Sequence, residues 1–196
     1  MALLGEGFES ALMACSLIIL LPGLATAMAA RAAAIPALAY YSAAVLALSW
    51  LRFSDRGGGF APLLIAAALA ATVAVLFIPK LNRSDLSAIG GGLLAGGAAA
   101  ELWRPCVGFE FGAVLNSLPE RGLSGLWLMA VYLFGVLSPL VAIGAIHHLT
   151  PDRILERVEP WWAIVGATGL GLLSLATAAG LHDELVGKLF EWSLEG

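Results

Sequence analysis

Charge is scarce in this sequence. Only 12% of its 196 residues are Asp, Glu, Lys or Arg, against about 25% in ordinary soluble domains. Too few charges exist to solvate the surface of a water-soluble fold, and no basic patch argues for nucleic acid. Cysteine is rarer still. Cys15 and Cys106 are the only two, and both fall inside apolar stretches. A stapled extracellular domain would place cysteines in loops, so that class is excluded. Histidine occurs three times, at His147, His148 and His182, each near the end of an apolar stretch. Spacing of that kind supplies no haem or metal set, and no feature of the chain demands a cofactor.

What remains is apolar. The chain is 60% hydrophobic, with a mean hydropathy of +0.92. An integral membrane protein is expected, with the lipid bilayer as its first partner. In hydrocarbon every backbone polar group must be paired within the structure, so the expected fold class is all-α. A span needs about 20 apolar residues. Six stretches qualify, near residues 10–30, 35–51, 60–78, 89–118, 123–146 and 161–181. Residues 1–181 then form a six-helix membrane domain. Residues 182–196 form an amphipathic tail whose Leu185, Leu189, Phe190 and Trp192 suit a membrane surface. Trp50, Trp103, Trp161, Trp162 and Trp192 stand near predicted span ends, as in an aromatic belt.

A signal peptide needs a basic leading region. Residues 1–10 carry Glu6 and Glu9 and no Lys or Arg, despite the cleavage-like ATA at 25–27. The first stretch is therefore expected to be a retained helix. Loop charges set the orientation weakly. Arg31, Lys80, Arg83, Arg153 and Arg157 fall on one side, and Arg52, Arg56, Arg121 and Lys188 on the other. The positive-inside rule then places both termini outside the cytoplasm.

The chain carries signs of a repeat. Cys15 and Cys106 stand 91 positions apart, and so do Tyr41 and Tyr132. Each cysteine lies in the first helix of a three-helix set, in repeats of about 8–79 and 87–181. An odd number of helices per repeat gives the two halves opposite topology, with a shared site near the midplane. The glycines of GGGLLAGGAAA at 90–100 and GLGLL at 169–173 read as close helix packing.

The stretch AELWRPCVGFEFGAVL, residues 100–115, concentrates the disruptive residues. Pro105 lacks an N–H and is expected to kink or break the fourth helix beside Cys106. Gly108 and Gly112 follow as a small-residue face. In the first half, Pro22 and Gly23 are expected to do the same after Cys15. Glu101 and Arg104 share a helix face and are expected to pair. Arg104 favours a Cys106 thiolate, the reactive form, and an ionised Glu110 opposes it. Ionisable residues at membrane depth mark functional sites by default. The competing reading is that buried cysteine is a small apolar residue and nothing more, and that Glu101 and Arg104 anchor the interface.

These residues resemble a known pattern. Trp103, Pro105, Cys106, Gly108, Gly112, Ala113 and Leu115 form W-x-P-C-x-G-x-x-x-G-A-x-L. That motif looks like the fourth-helix signature of the CcdA family, the cytochrome c biogenesis thiol-disulfide transporters related to the DsbD membrane domain. Tyr132, Gly135 and Pro139 are similar to the family's Y-x-x-G-x-x-x-P, and CSLIILLPG at 15–23 to its first-cysteine segment. Ala14, Ile18 and Phe109 stand where the family has proline.

The resemblance implies a transmembrane thiol-disulfide oxidoreductase of a bacterial-type inner membrane. Cys15 and Cys106 would be its redox pair, and Pro22, Gly23, Pro105, Gly108, Gly112 and Pro139 its mobility devices. Glu101, Arg104 and Glu110 would tune it. The implied partners are a cytoplasmic thioredoxin-like donor and an extracytoplasmic thioredoxin-like acceptor. The alternatives are a non-catalytic CcdA-like subunit of a larger membrane complex, or a carrier of a thiophilic metal or sulfur species.

Overall fold

A computed structural model describes residues 2–13, 16–30, 33–54, 60–78, 85–103, 109–149, 152–181, 184, 187, 188 and 191. At 109–110, 147–149, 152–160 and 162 the description is of the backbone alone.

The described secondary structure is helical throughout. Eight helices follow in order: α1 (Ala2–Ala11), α2 (Leu17–Ala29), α3 (Ala34–Phe53), α4 (Pro62–Phe77), α5 (Asp85–Leu102), α6 (Phe109–Arg121), α7 (Leu123–Leu149) and α8 (Asp152–Ala178). Two of them are long and apolar enough to cross a membrane, over Ala34–Phe53 and Leu123–Ile146. Shorter apolar helices run over Leu17–Ala29, Pro62–Phe77 and Ala163–Ala178. The expected first and fourth stretches are thus each divided into two helices.

Helix directions follow from which residues meet. Gly92 lies against the Ala37 carbonyl and Gly96 against that of Tyr41, while Arg52 bonds to Ala100, Glu101 and Trp103. The residue numbers rise together, so α3 and α5 run parallel. Phe60 meets Glu101 and Leu76 meets Gly91, so α4 opposes α5. Ser174 donates to the Ala66 carbonyl at 2.9 Å and Phe77 faces Gly166, so α8 opposes α4. Leu21 faces Gly169 and Ala25 faces Gly166, so α8 also opposes α2. Leu38 faces Gly144, and Tyr41 and Leu140 both pack on Gly23, so α7 opposes α3. Gly122, at φ 56°, closes a tight turn that folds α6 back along α7. The segments α2, α3, α4, α5–α6, α7 and α8 therefore alternate in direction along the chain.

Glycine makes the closest approaches possible. A Cβ at Gly96 would lie 2.5 Å from the Tyr41 carbonyl oxygen, and one at Gly7 would collide with that of Tyr132. So α5, which precedes Cys106, lies on the helix of Tyr41, and α1, which precedes Cys15, lies on the helix of Tyr132. Each tyrosine helix is covered by the helix leading to the other half's cysteine.

Three buried threonine hydroxyls are satisfied within their own helices. Thr26, Thr72 and Thr177 each donate to the carbonyl four residues back, at 2.8 Å. Pro139 lacks the amide that the Gly135 carbonyl would otherwise receive. The Ser138 hydroxyl donates to that carbonyl instead, at 2.7 Å. The outer faces carry large exposed apolar side chains, among them Leu63, Leu64, Phe134, Val141, Leu172 and Leu175.

Several expectations are corrected. Helix α2 runs through Pro22 and Gly23, and the interruption lies upstream, between Ala11 and Leu17. The first helix begins at Ala2, so Glu6 and Glu9 are helical. Trp103 is no belt residue: it is wholly buried, while Trp161 is 72% exposed. The tail's Leu185, Leu189, Phe190 and Trp192 lie outside the described residues. Beside them, Glu184 and Lys188 form an exposed ion pair at 2.8 Å.

Candidate functional site

The two cysteines occupy equivalent places in the helix order. Cys15 falls between α1 and α2, and Cys106 between α5 and α6. Cys15 and Cys106 themselves lie outside the described residues, as do Arg104, Pro105 and Gly108. The Glu110 side chain does too. The described flanks define the site.

On the Cys15 side, α1 unwinds through short turns. The amides of Leu12 and Met13 bond to the carbonyls of Glu9 and Ser10, each at 3.1 Å. The Ser16 hydroxyl donates across the interruption to the Ser10 carbonyl at 2.6 Å. Both serines are buried. Beyond the interruption, the Tyr41 hydroxyl donates to the Ile19 carbonyl. That carbonyl lies in the turn before Pro22, where the helix's own hydrogen bonding is weakened.

On the Cys106 side, two charges sit at the helix ends. Arg52 Nη1 lies 3.0 Å from the Ala100 carbonyl, 2.7 Å from that of Glu101 and 3.2 Å from that of Trp103. The last carbonyls of a helix have no partner within it, so a cation there supplies both donors and favourable charge. At the start of α6, Glu6 Oε2 accepts the Phe111 amide at 2.9 Å. A carboxylate suits the positive end of a helix for the same reason. Glu101 is buried, and its carboxylate accepts the Phe60 amide at 3.3 Å. Its expected partner, Arg104, lies outside the described residues.

Tyr132 joins the two sides. Its ring lies face to face with Phe111, with centroids 3.5 Å apart, and stacks on Trp103 at 6.2 Å. Phe53 meets the other edge of Trp103 at 6.5 Å. The Tyr132 hydroxyl donates to Ser10 Oγ at 2.9 Å. One side chain thus touches residues before and after Cys106 and a residue just before Cys15. Ile19, Tyr41, Trp103, Phe111 and Tyr132 share one buried cluster, and Ile18 and Leu102 share another. The chain on both sides of Cys106 and the chain after Cys15 therefore meet in one buried cluster. The Trp103 indole nitrogen is buried within it without a hydrogen-bond partner among the described residues.

Gly23 packs against Tyr41 and Leu140, and Gly112 is half-buried. Among the described residues no cluster of three or more His, Cys, Asp or Glu is placed to hold a metal. No protein-family model, curated protein or solved structure matches the chain.

Sequence reasoning missed Glu6, Ser10, Ser16 and Arg52. Glu6 and Arg52 are visible as charges bordering apolar stretches. Their partners are backbone groups far along the chain, which no spacing rule reveals.

Proposed function

We propose that the chain is a six-span membrane protein of two inverted three-helix repeats. In this reading it carries reducing equivalents across a bacterial-type inner membrane through a Cys15–Cys106 dithiol–disulfide couple. The observation that carries the reading is the placement of the only two cysteines. Each lies between consecutive helices, α1–α2 and α5–α6, and the flanks of both meet at Tyr132. A helix interruption frees backbone and side chain for reaction in a way that a continuous helix does not. The alternation of helix directions supports six crossings, since it gives the two halves opposite topology. The apolar outer faces support a lipid surface. The resemblance to CcdA proteins points the same way.

The chemistry is two successive thiol–disulfide exchanges. A thiolate of a cytoplasmic thioredoxin-like dithiol attacks one sulfur of the Cys15–Cys106 disulfide. The S–S bond breaks, the other cysteine leaves as a thiolate, and a mixed disulfide forms. The donor's second thiolate resolves it, so the donor becomes a disulfide and the pair a dithiol. Two electrons have moved, and protons follow the thiolates. On the other side one cysteine attacks the disulfide of a thioredoxin-like acceptor, and its partner resolves the intermediate. The bridged state requires Cα atoms within about 7 Å.

Reconstitution tests this. Vesicles enclosing an oxidised thioredoxin-like acceptor, supplied with reduced donor outside, are expected to show reduction of the enclosed acceptor. Cys15→Ala and Cys106→Ala abolish it. Undiminished transfer by either variant overturns the reading.

A further inference from the structure

Ser49 Oγ and Trp103 Nε1 are buried polar atoms without a hydrogen-bond partner among the described residues. Both side chains are wholly buried. A helical serine or threonine can turn its hydroxyl onto a carbonyl of the preceding turn. Thr26, Thr72 and Thr177 do so, and so does Ser138. The Ser49 hydroxyl, in the middle of α3, makes no such bond. The Trp103 indole has a donor alone to offer. Polar groups left unpaired in an apolar core are costly, and the usual remedy is an internal water.

The packing brings the two groups to one level. The buried stripe of α3 runs through Tyr41, Val45 and Ser49, at about one-turn spacing. Phe53, one turn beyond Ser49, meets the edge of the Trp103 ring at 6.5 Å. The neighbouring Arg52 lies 3.2 Å from the Trp103 carbonyl. Helix α7 gives a second, separate measure. Tyr41 and Leu140 meet on Gly23, where α3 and α7 pass in opposite directions. About two turns onward along α3 stands Ser49, and about two turns back along α7 stands Tyr132. The Tyr132 ring stacks on Trp103 at 6.2 Å. Val45, Trp103, Tyr132 and Leu133 belong to one buried cluster.

We propose that one water molecule is bound between Ser49 and Trp103, accepting the indole N–H and donating to Ser49 Oγ. The ligand class follows from the two groups. They are uncharged, they offer a donor and a hydroxyl, and they are closed to solvent, so they suit a water and not an ion. Two polar partners are the fewest that hold a buried water. The water ties α3 to the end of α5, one turn inside the Arg52 contact and beside the Tyr132 ring. It does not depend on thiol exchange.

A crystal structure of the full-length protein, at a resolution that shows ordered water, tests this directly. The expected result is one density peak within about 3.2 Å of both Ser49 Oγ and Trp103 Nε1. A dry core overturns the proposal, whether Ser49 is bonded to its own helix or directly to the indole. An acceptor for Trp103 supplied by another residue overturns it too. In solution, thermal unfolding in detergent compares Ser49→Ala, Trp103→Phe and the double variant. Helix propensity and ring size cancel in such a cycle. With a shared water, the double variant loses less than the two single losses together. Strictly additive losses overturn the proposal. Should Trp103→Phe not fold, the wild-type structure decides alone.

Discussion

The Tyr132 hydroxyl donates to Ser10 Oγ at 2.9 Å, between residues 122 positions apart. Both groups are buried, and the tyrosine ring is stacked between residues that bracket Cys106. Tyr132→Phe keeps the ring and removes the bond. The expected loss of stability is about 0.5–1.5 kcal/mol. Ser10→Ala is expected to cost about as much, and the double variant no more than the larger single effect. Thermal unfolding in detergent measures the cycle. Strict additivity would mean that the two hydroxyls are not energetically coupled.

Glycine positions separate into contacts and bystanders. Gly96→Ala puts a methyl group 2.5 Å from the Tyr41 carbonyl oxygen. Backbone must shift, at a cost of about 1–3 kcal/mol. Gly90 has open space around its Cβ position, so Gly90→Ala is expected to be neutral or stabilising by up to about 1 kcal/mol. Equal melting shifts for the two variants would contradict the close packing of α5 on α3.

Ser138 substitutes for the amide that Pro139 lacks. Ser138→Ala is expected to destabilise α7 by about 1 kcal/mol. Adding Pro139→Ala restores an amide donor for Gly135, so the double variant is expected to be more stable than Ser138→Ala alone. A double variant that melts lower would show that the proline itself is needed for packing.

Helix direction gives a topological prediction. With Cys15 and Cys106 replaced by alanine, single cysteines are placed at Ala61, before α4, and at Asp85, before α5, both exposed positions. They are expected to label from opposite faces of the membrane. With extracytoplasmic termini, position 61 reacts with an impermeant maleimide in intact cells and position 85 only after permeabilisation. Labelling of both from one side would rule out the six-span reading.

The helical class was legible in the sequence, because long apolar runs are a local signal, while the disruption expected at Pro105 and Cys106 falls outside the described residues. The glycine packing was legible in part: Gly91, Gly92, Gly96 and Gly169 meet neighbouring helices, whereas Gly90 and Gly171 have open space around them. Pro22 misled. A proline suggests a break, yet α2 runs through it, and the first two helices part instead between Ala11 and Leu17, where the sequence has neither proline nor glycine. Trp103 misled as well, since a tryptophan near a predicted span end fits a belt until its aromatic neighbours are known. Arg52 was counted as a loop charge for orientation. Its role depends on α3 and α5 ending at the same level, a tertiary fact with no trace in spacing.

The most direct measurement is gel-shift thiol alkylation of the membrane-embedded protein, oxidised and then reduced, for wild type, Cys15→Ala and Cys106→Ala. The account predicts no reactive thiol in oxidised wild type, two after mild reduction, and one free thiol in each variant under both conditions. Two thiols that remain reactive in wild type after oxidation would contradict it, as would thiols that appear only on denaturation.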